Sequence, residues 1–331
     1  MSASQPTLDS VPDQKSALRK ALTRVTSRQL RRNDKVAFLV SVVSGLIIIA
    51  LLAGILFKLV ALSMPALRRY GVGFLFSSEW DAVRSNFGAF PYLYGTLVSS
   101  AVALAIAAPF GIGTALFLTE IAPRRMREVV AFVVDMLAAI PSVVYGLWGI
   151  FVLAPLIEHY LGPFLQSTLG FLPLFQGECH GLSMLAAGII LAIMVVPFIT
   201  AISREVLLTT PADLKAASLA LGATKWETIW KVVLPYNRVG IGGGVVLALG
   251  RALGETMAVT MVIGNLPVVS ASLLRPGHSM AAVIANEFRE ADSAIYLSAL
   301  VAIGLVLFLV ALVINIAARL LLWRLQGDAR K

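Results

Sequence analysis

The sequence predicts an all-α polytopic membrane protein with six transmembrane helices. Three observations carry that prediction. Residues of the AVILMFWYC set make up 58% of the 331, and charged residues only 14%, whereas soluble domains are about a quarter charged. Mean hydropathy is +0.86. Six stretches are apolar for long enough to cross a ~30 Å hydrocarbon core, which takes roughly 20 residues of helix. The composition excludes a disordered chain, a collagen and an ordinary cytosolic enzyme. The single cysteine, Cys179, excludes an intrachain disulfide and a Cys-rich metal site.

The spans fall at about 36–62, 92–118, 129–157, 181–202, 239–265 and 295–323. The first follows 35 mostly polar residues and its apolar run is too long for a signal-peptide core, so it reads as a true span. Pro109, Pro141 and Pro197 interrupt spans two, three and four, where kinks are expected. An even number of spans puts both termini on one side. Sorted by loop, twenty Lys and Arg fall on the side of the termini and five on the other: Arg68, Arg69, Arg84, Arg275 and Arg289. The excess marks the cytoplasmic side, so both termini are expected there. The same sorting accounts for the net charge of +9 without nucleic acid.

The loop between spans four and five carries the clearest local signals. Thr210 reads as an N-cap, with Pro211 at the first helical position and Gly222 in the left-handed position that ends the helix. Thr224-Lys-Trp-Glu227 is a capping box opening a second helix. That helix is expected to stop near Val233, because Leu234 precedes Pro235. Two short helices meeting at a glycine form an elbow outside the membrane. Trp226, Ile229, Trp230 and Val233 share an apolar stripe on the second, facing either the membrane domain or a partner.

Residues 217–223, Ala-Ser-Leu-Ala-Leu-Gly-Ala, running on to Val232-Val-Leu-Pro235, resemble the cytoplasmic coupling loop of ABC-importer permeases. Three further strings are similar to the phosphate permeases of that family, more closely than to the sulfate or molybdate permeases. They are Phe87-Gly-Ala-Phe-Pro-Tyr-Leu-Tyr-Gly-Thr96, Ile140-Pro-Ser-Val-Val-Tyr-Gly-Leu-Trp-Gly149 and Gly250-Arg-Ala-Leu-Gly-Glu-Thr-Met-Ala258. The chain is thereby identified as a member of the binding-protein-dependent inner-membrane permeases. The resemblance covers about 92–319.

The resemblance implies a type I ABC-importer permease fold in a bacterial plasma membrane. It divides the chain into a basic cytoplasmic tail (1–35), a first transmembrane helix with its outer loop (36–91), the importer transmembrane domain (92–319) and a short cytoplasmic tail (320–331). It implies that the 210–235 loop docks on an ATP-hydrolysing subunit, with Ala216, Ala217, Gly222, Leu234 and Pro235 as coupling positions. Ala216 stands where the family pattern has glutamate, and Ser218 where it has a second alanine. The implied partners are a homologous permease subunit, two ATP-binding subunits, an extracytoplasmic phosphate-binding protein and the lipid bilayer, with no nucleic acid. ATP and magnesium are then used by the partner subunits. The chain itself is expected to bind no cofactor or metal and to catalyse nothing.

Charges inside spans are costly and usually functional. Asp135 falls in the third expected span, Arg251 and Glu255 in the fifth. At one helical turn, Arg251 and Glu255 share a face, which supports a buried pair that fixes packing. A guanidinium also offers five donors to a tetrahedral oxyanion, and the resemblance implies a place in the substrate path for both residues. Asp135 either balances Arg251 or accepts the proton of monohydrogen phosphate. Gly250 and Gly254, with Gly240 and Gly242–Gly244, read as small residues for close helix packing.

The chain has no P-loop, since none of its eight lysines follows a glycine. It has neither H-E-x-x-H nor G-x-S-x-G. A permease for another oxyanion, or a proton-coupled anion transporter using Asp135 and Glu255, stays open on the residues alone. A membrane hydrolase is the third alternative, and it lacks a histidine in any expected span. The outer loops, 158–180 above all with Phe164, Leu165, Phe171 and Phe175, suit docking of a binding protein or packing on the permease itself.

Overall fold

The computed structural model describes the backbone of residues 13–328 and side chains over 34–324. Of the expected basic tail, residues 1–12 and the side chains up to 33 lie outside these residues, as do 329–331 and the side chains from 325. The chain divides into two units, 1–58 and 59–331. The first is the amino-terminal part of one long helix, α1 (Asp13–Tyr70). Its run from Val36 to Phe57 is exposed and apolar on most sides, as a lipid-facing helix is.

The second unit holds the rest. Helix α2 spans Phe90–Ile121, α3 Arg124–Ala139, α4 Ser142–Leu169 and α5 Met184–Leu208. They are followed by α6 (Ala212–Ala220), α7 (Lys225–Gly254), α8 (Met257–Val262), α9 (Met280–Glu287) and α10 (Ala294–Asp328). A two-residue antiparallel ladder, Trp80–Asp81 with Asn86–Phe87, closes the first outer loop. Six helices are long and apolar enough to cross a membrane among the described residues, as expected.

The core is built on α2 and α5. Ser99, Ala103, Ala107, Gly111 and Ala115 recur every fourth residue on α2, and all are buried. Gly188 answers them from α5. A Cβ at Gly111 would sit 2.8 Å from Ile199, and one at Gly188 2.4 Å from Val102, so these backbones approach closely. The Thr200 hydroxyl donates to the Gly111 carbonyl at 3.2 Å across the contact. Helix α7 also packs on α5, through Gly240 against Val206 and Gly244 against Ile202. The packing glycines of this helix are therefore Gly240 and Gly244 toward α5 and Gly242, where a Cβ would sit 2.5 Å from Leu322 of α10. Gly254, expected in that role, has nothing within 4 Å of its Cβ position.

Two expected spans are broken. The third stops at Ile140, whose ψ of 129° is extended, as a residue before proline prefers. Amphipathic α3 precedes the break, and the apolar span runs from Ser142 to Leu169. The fifth breaks at Glu255 (ψ 126°), and α8 restarts at Met257. This turn lets α8 reach α4, where Met261 and Val262 cover Gly146 and Gly149.

Prolines behave less simply than expected. Four π-helical turns occur among the described residues: Phe117–Ile121, Gly149–Leu153, Ile157–Leu161 and Ile229–Val233. Each is followed two residues later by a proline: Pro123, Pro155, Pro163 and Pro235. In the last three the helix continues. A proline in a regular helix lacks a donor and collides with the carbonyl four residues back. Here the residue before it donates five residues back, as Leu234 N–H does to the Ile229 carbonyl, and the widened turn makes room. The expected stop at Val233 is thereby overturned. The second arm of the elbow runs without interruption into span five.

Candidate coupling elbow and permeation residues

The elbow departs from the expected caps at one end and matches them at the other. Helix α6 starts after Pro211 with no side-chain cap. Thr210 is engaged elsewhere: its hydroxyl donates to the Leu207 carbonyl at 2.8 Å and accepts from Asn237 Nδ2 at 2.6 Å. It thus ties the end of α5 to α7. Gly222 has φ +85°, the left-handed conformation expected of it. Its N–H donates to the Leu219 carbonyl and that of Ala223 to the Ser218 carbonyl, closing the end of α6. The capping box is complete. Thr224 Oγ1 accepts the Glu227 N–H at 3.2 Å, and Glu227 Oε2 accepts the Thr224 N–H at 2.9 Å.

Helix α6 buries none of its residues. Ala216 and Ala217 are exposed, as are Gly222 and Pro235, while Leu234 packs beside Ala115, Leu207, Val233 and Ile241. The apolar stripe of the second arm divides. Ile229 and Val233 are buried in the membrane domain, and Trp226 and Trp230 are exposed in edge contact at 5.7 Å between centroids. Leu221 at the tip is 89% exposed. The elbow thus offers Leu214, Leu219, Leu221 and Trp226 as an apolar knob held by a rigid turn.

The intramembrane charges are rearranged. Arg251 is exposed and, among the described residues, makes no ion pair. The break at Glu255 removes the shared helical face, and the expected Arg251–Glu255 pair does not form. The Glu255 carboxylate turns instead to the Ala258 N–H at 3.4 Å, capping α8. Since Gly240 faces Val206 and Gly244 faces Ile202, the same register sets Arg251 opposite about residue 195, near the middle of α5. Asp135 lies on the exposed face of α3, outside the six apolar spans, and contacts neither Arg251 nor Glu255 within ion-pair distance. Balancing of Arg251 by Asp135 within this chain is thereby removed. Arg251 and Asp135 are exposed, whereas Glu255 is half-buried.

The loops expected either to dock a binding protein or to pack on the permease itself do the second in part. Residues 158–169 continue α4. Segment 263–279 is threaded into the outer core: His180, Met184 and Leu185 N–H groups donate to Leu274, Arg275 and Leu273 carbonyls. Leu165 and Phe175 pack on the core, whereas Phe164 and Phe171 remain exposed. His278 is buried beside Tyr92, and burial pushes its imidazole down to about 4.

The fold defines a multi-pass membrane protein that carries an exposed apolar elbow between two of its spans. Residues 107–326 match the family described as "Binding-protein-dependent transport system inner membrane component", and the chain belongs to that family. Its relatives include the "Phosphate transport system permease protein PstC" of Xylella fastidiosa, 50% identical over 85% of this chain and 90% of the relative. The protein of the same name from Mesorhizobium japonicum is 44% identical over 95% of this chain and 99% of the relative. Among solved structures, a chain of a bacterial ABC transporter involved in the import of the acidic polysaccharide alginate aligns with TM-score 0.56 and 18% identity. That alignment covers 89% of this chain and 99% of that one. A chain of the MetNI methionine ABC transporter in an inward-facing conformation aligns with TM-score 0.50 and 21% identity, covering 73% and 95%. These two likenesses establish the type I permease fold.

Proposed function

We propose that this chain is the transmembrane permease subunit of an ATP-driven phosphate importer. The observation that carries the reading is near full-length identity to phosphate permeases, 44% over 325 residues. The chain is a multi-pass membrane protein. In this reading both termini are cytoplasmic, as the Lys and Arg distribution favours. The chain forms the translocation path with a homologous permease of the PstA kind. Two ATP-binding subunits of the PstB kind bind ATP and magnesium and dock on the 210–235 elbow, and a PstS-like protein delivers phosphate outside. The chain itself is non-catalytic. Arg251, exposed at mid-depth and without an ion pair among the described residues, faces the pore and supplies donors to the desolvated anion. Glu255 and Asp135 border the same path. The test is radiolabelled phosphate uptake by cells with and without the chain, with sulfate and molybdate as competitors. Chain-dependent uptake that excess sulfate leaves intact is expected. Equal uptake without the chain, or displacement by sulfate, overturns the reading.

A further inference from the structure

Helix α6 buries no residue, yet the elbow must pass force to the membrane domain. Three connections join it to the body. The chain continues backward into α5 and forward into α7, and the Ser218 hydroxyl meets that of Thr228 at 3.0 Å across the elbow itself. The third is an ion pair. Lys215 Nζ on α6 lies 2.5 Å from Glu120 Oε1, at the cytoplasmic end of α2, with side chains only 29% and 14% exposed. Between the described side chains of α6 and α2 this is the sole ion pair or hydrogen bond. Leu219, Thr228 and Ile229 wall the hollow around it, with Lys225 at the edge.

Glu120 itself stands in the π-helical turn Phe117–Ile121. The Thr119 carbonyl there accepts from Arg127 Nη2 of α3 at 3.1 Å. The turn is thus tied to α3 on one side and to α6 on the other. Helix α2 lies along α5 through the small-residue stripe, so a pull on Glu120 acts on the α2–α5 contact. A partly buried pair walled by apolar groups is screened less than a surface pair and holds its geometry.

We infer that the Glu120–Lys215 pair is the non-covalent strut through which the elbow moves α2, making both positioning residues for coupled transport. The inference rests on the importer reading. Without the strut, α6 still docks and α7 still moves with it, but α2 does not follow. ATP hydrolysis then continues while transport per ATP falls.

The experiment uses the complete transporter in proteoliposomes with its phosphate-binding protein, reading uptake and ATP hydrolysis together. Glu120→Gln and Lys215→Met are each expected to lower phosphate moved per ATP by about tenfold, and each leaves the other charge uncompensated. The double neutral variant relieves any uncompensated charge. It is expected to assemble normally and stay uncoupled. The exchange Glu120→Lys with Lys215→Glu is expected to restore coupling. As a control within one folded protein, Glu120→Cys with Lys215→Cys is built on a Cys179→Ala background. Bridging by a short bis-methanethiosulfonate reagent, each end of which forms a disulfide with one cysteine and releases a sulfinate, is expected to recover coupling, and reduction of those disulfides to abolish it. A double neutral variant with the wild-type ratio overturns the strut, as does a bridged protein no better coupled than its reduced form. Failure of the phosphate reading shows separately, as a wild-type transporter that hydrolyses ATP without moving phosphate.

Discussion

Gly222→Val perturbs the elbow at its single left-handed residue. With φ at +85°, any residue with a Cβ is strained there, by roughly 1–2 kcal/mol for an ordinary side chain. Nothing lies within 4 Å of the Cβ position, so the cost is backbone strain rather than collision. A penalty of one to two kcal/mol lowers the equilibrium constant for the docking-competent elbow about 5- to 30-fold, which is the upper bound on the loss of activity. The side chains in the membrane core are untouched, so Gly222→Val is expected to insert and to purify in normal amount. Substrate-stimulated ATPase activity and uptake of the reconstituted complex should fall by up to that factor, with Gly222→Ala between Val and wild type. Gly222→Asn should keep most activity, because asparagine tolerates the left-handed region. This ordering separates conformation from bulk, since Asn and Val are similar in size. Normal stimulated ATPase activity in Gly222→Val refutes the reasoning, as does equal damage from Asn and Val.

Arg251→Gln leaves no buried partner uncompensated within the chain, so the transporter should assemble and lose phosphate uptake, and Arg251→Lys should retain more. Adding Glu255→Gln should restore nothing, because the two side chains are not paired; recovered uptake in the double variant removes Arg251 from the substrate path. Gly244→Ala would bring a Cβ to 2.8 Å from Ile202, whereas Gly254→Ala meets open space. The first should lower thermal stability in detergent by about 1–3 kcal/mol and the second should not, and equal melting temperatures contradict the α5–α7 contact as described. His278 has a folded pKa near 4 against about 6.5 unfolded. The unfolded chain therefore takes up the proton first, and the stability from the neutral buried imidazole, full above pH 6.5, falls as pH drops toward 4, by at most roughly 3 kcal/mol. Wild type should melt lower at pH 5 than at pH 7, and His278→Asn should flatten that difference; an unchanged pH slope in the variant counts against it.

The sequence alone determined what rests on hydropathy and short-range chemistry. Six apolar runs give six membrane helices, because lipid leaves the backbone no other partners. The left-handed Gly222 and the Thr224–Glu227 box were legible because each needs only three or four neighbouring residues. What it did not determine involves a second helix every time. Thr210 looks like a cap, but Asn237, 27 residues on, claims its hydroxyl. Pro235 looks like a stop, but a π turn whose Ile229 and Val233 are buried in the core carries the helix past it. Arg251 and Glu255 look like a pair because their spacing suits an unbroken helix. The turn at Glu255, which brings Met261 and Val262 onto Gly146 and Gly149, parts them. The small-residue stripe on α2 was present as Ser99, Ala103, Ala107, Gly111 and Ala115, yet it gains meaning only from α5 across it. Glu120 and Lys215 lie 95 residues apart, and no local pattern marks either. Local geometry is settled within a few residues of chain, whereas a contact's energy belongs to both surfaces, and only the tertiary structure brings them together.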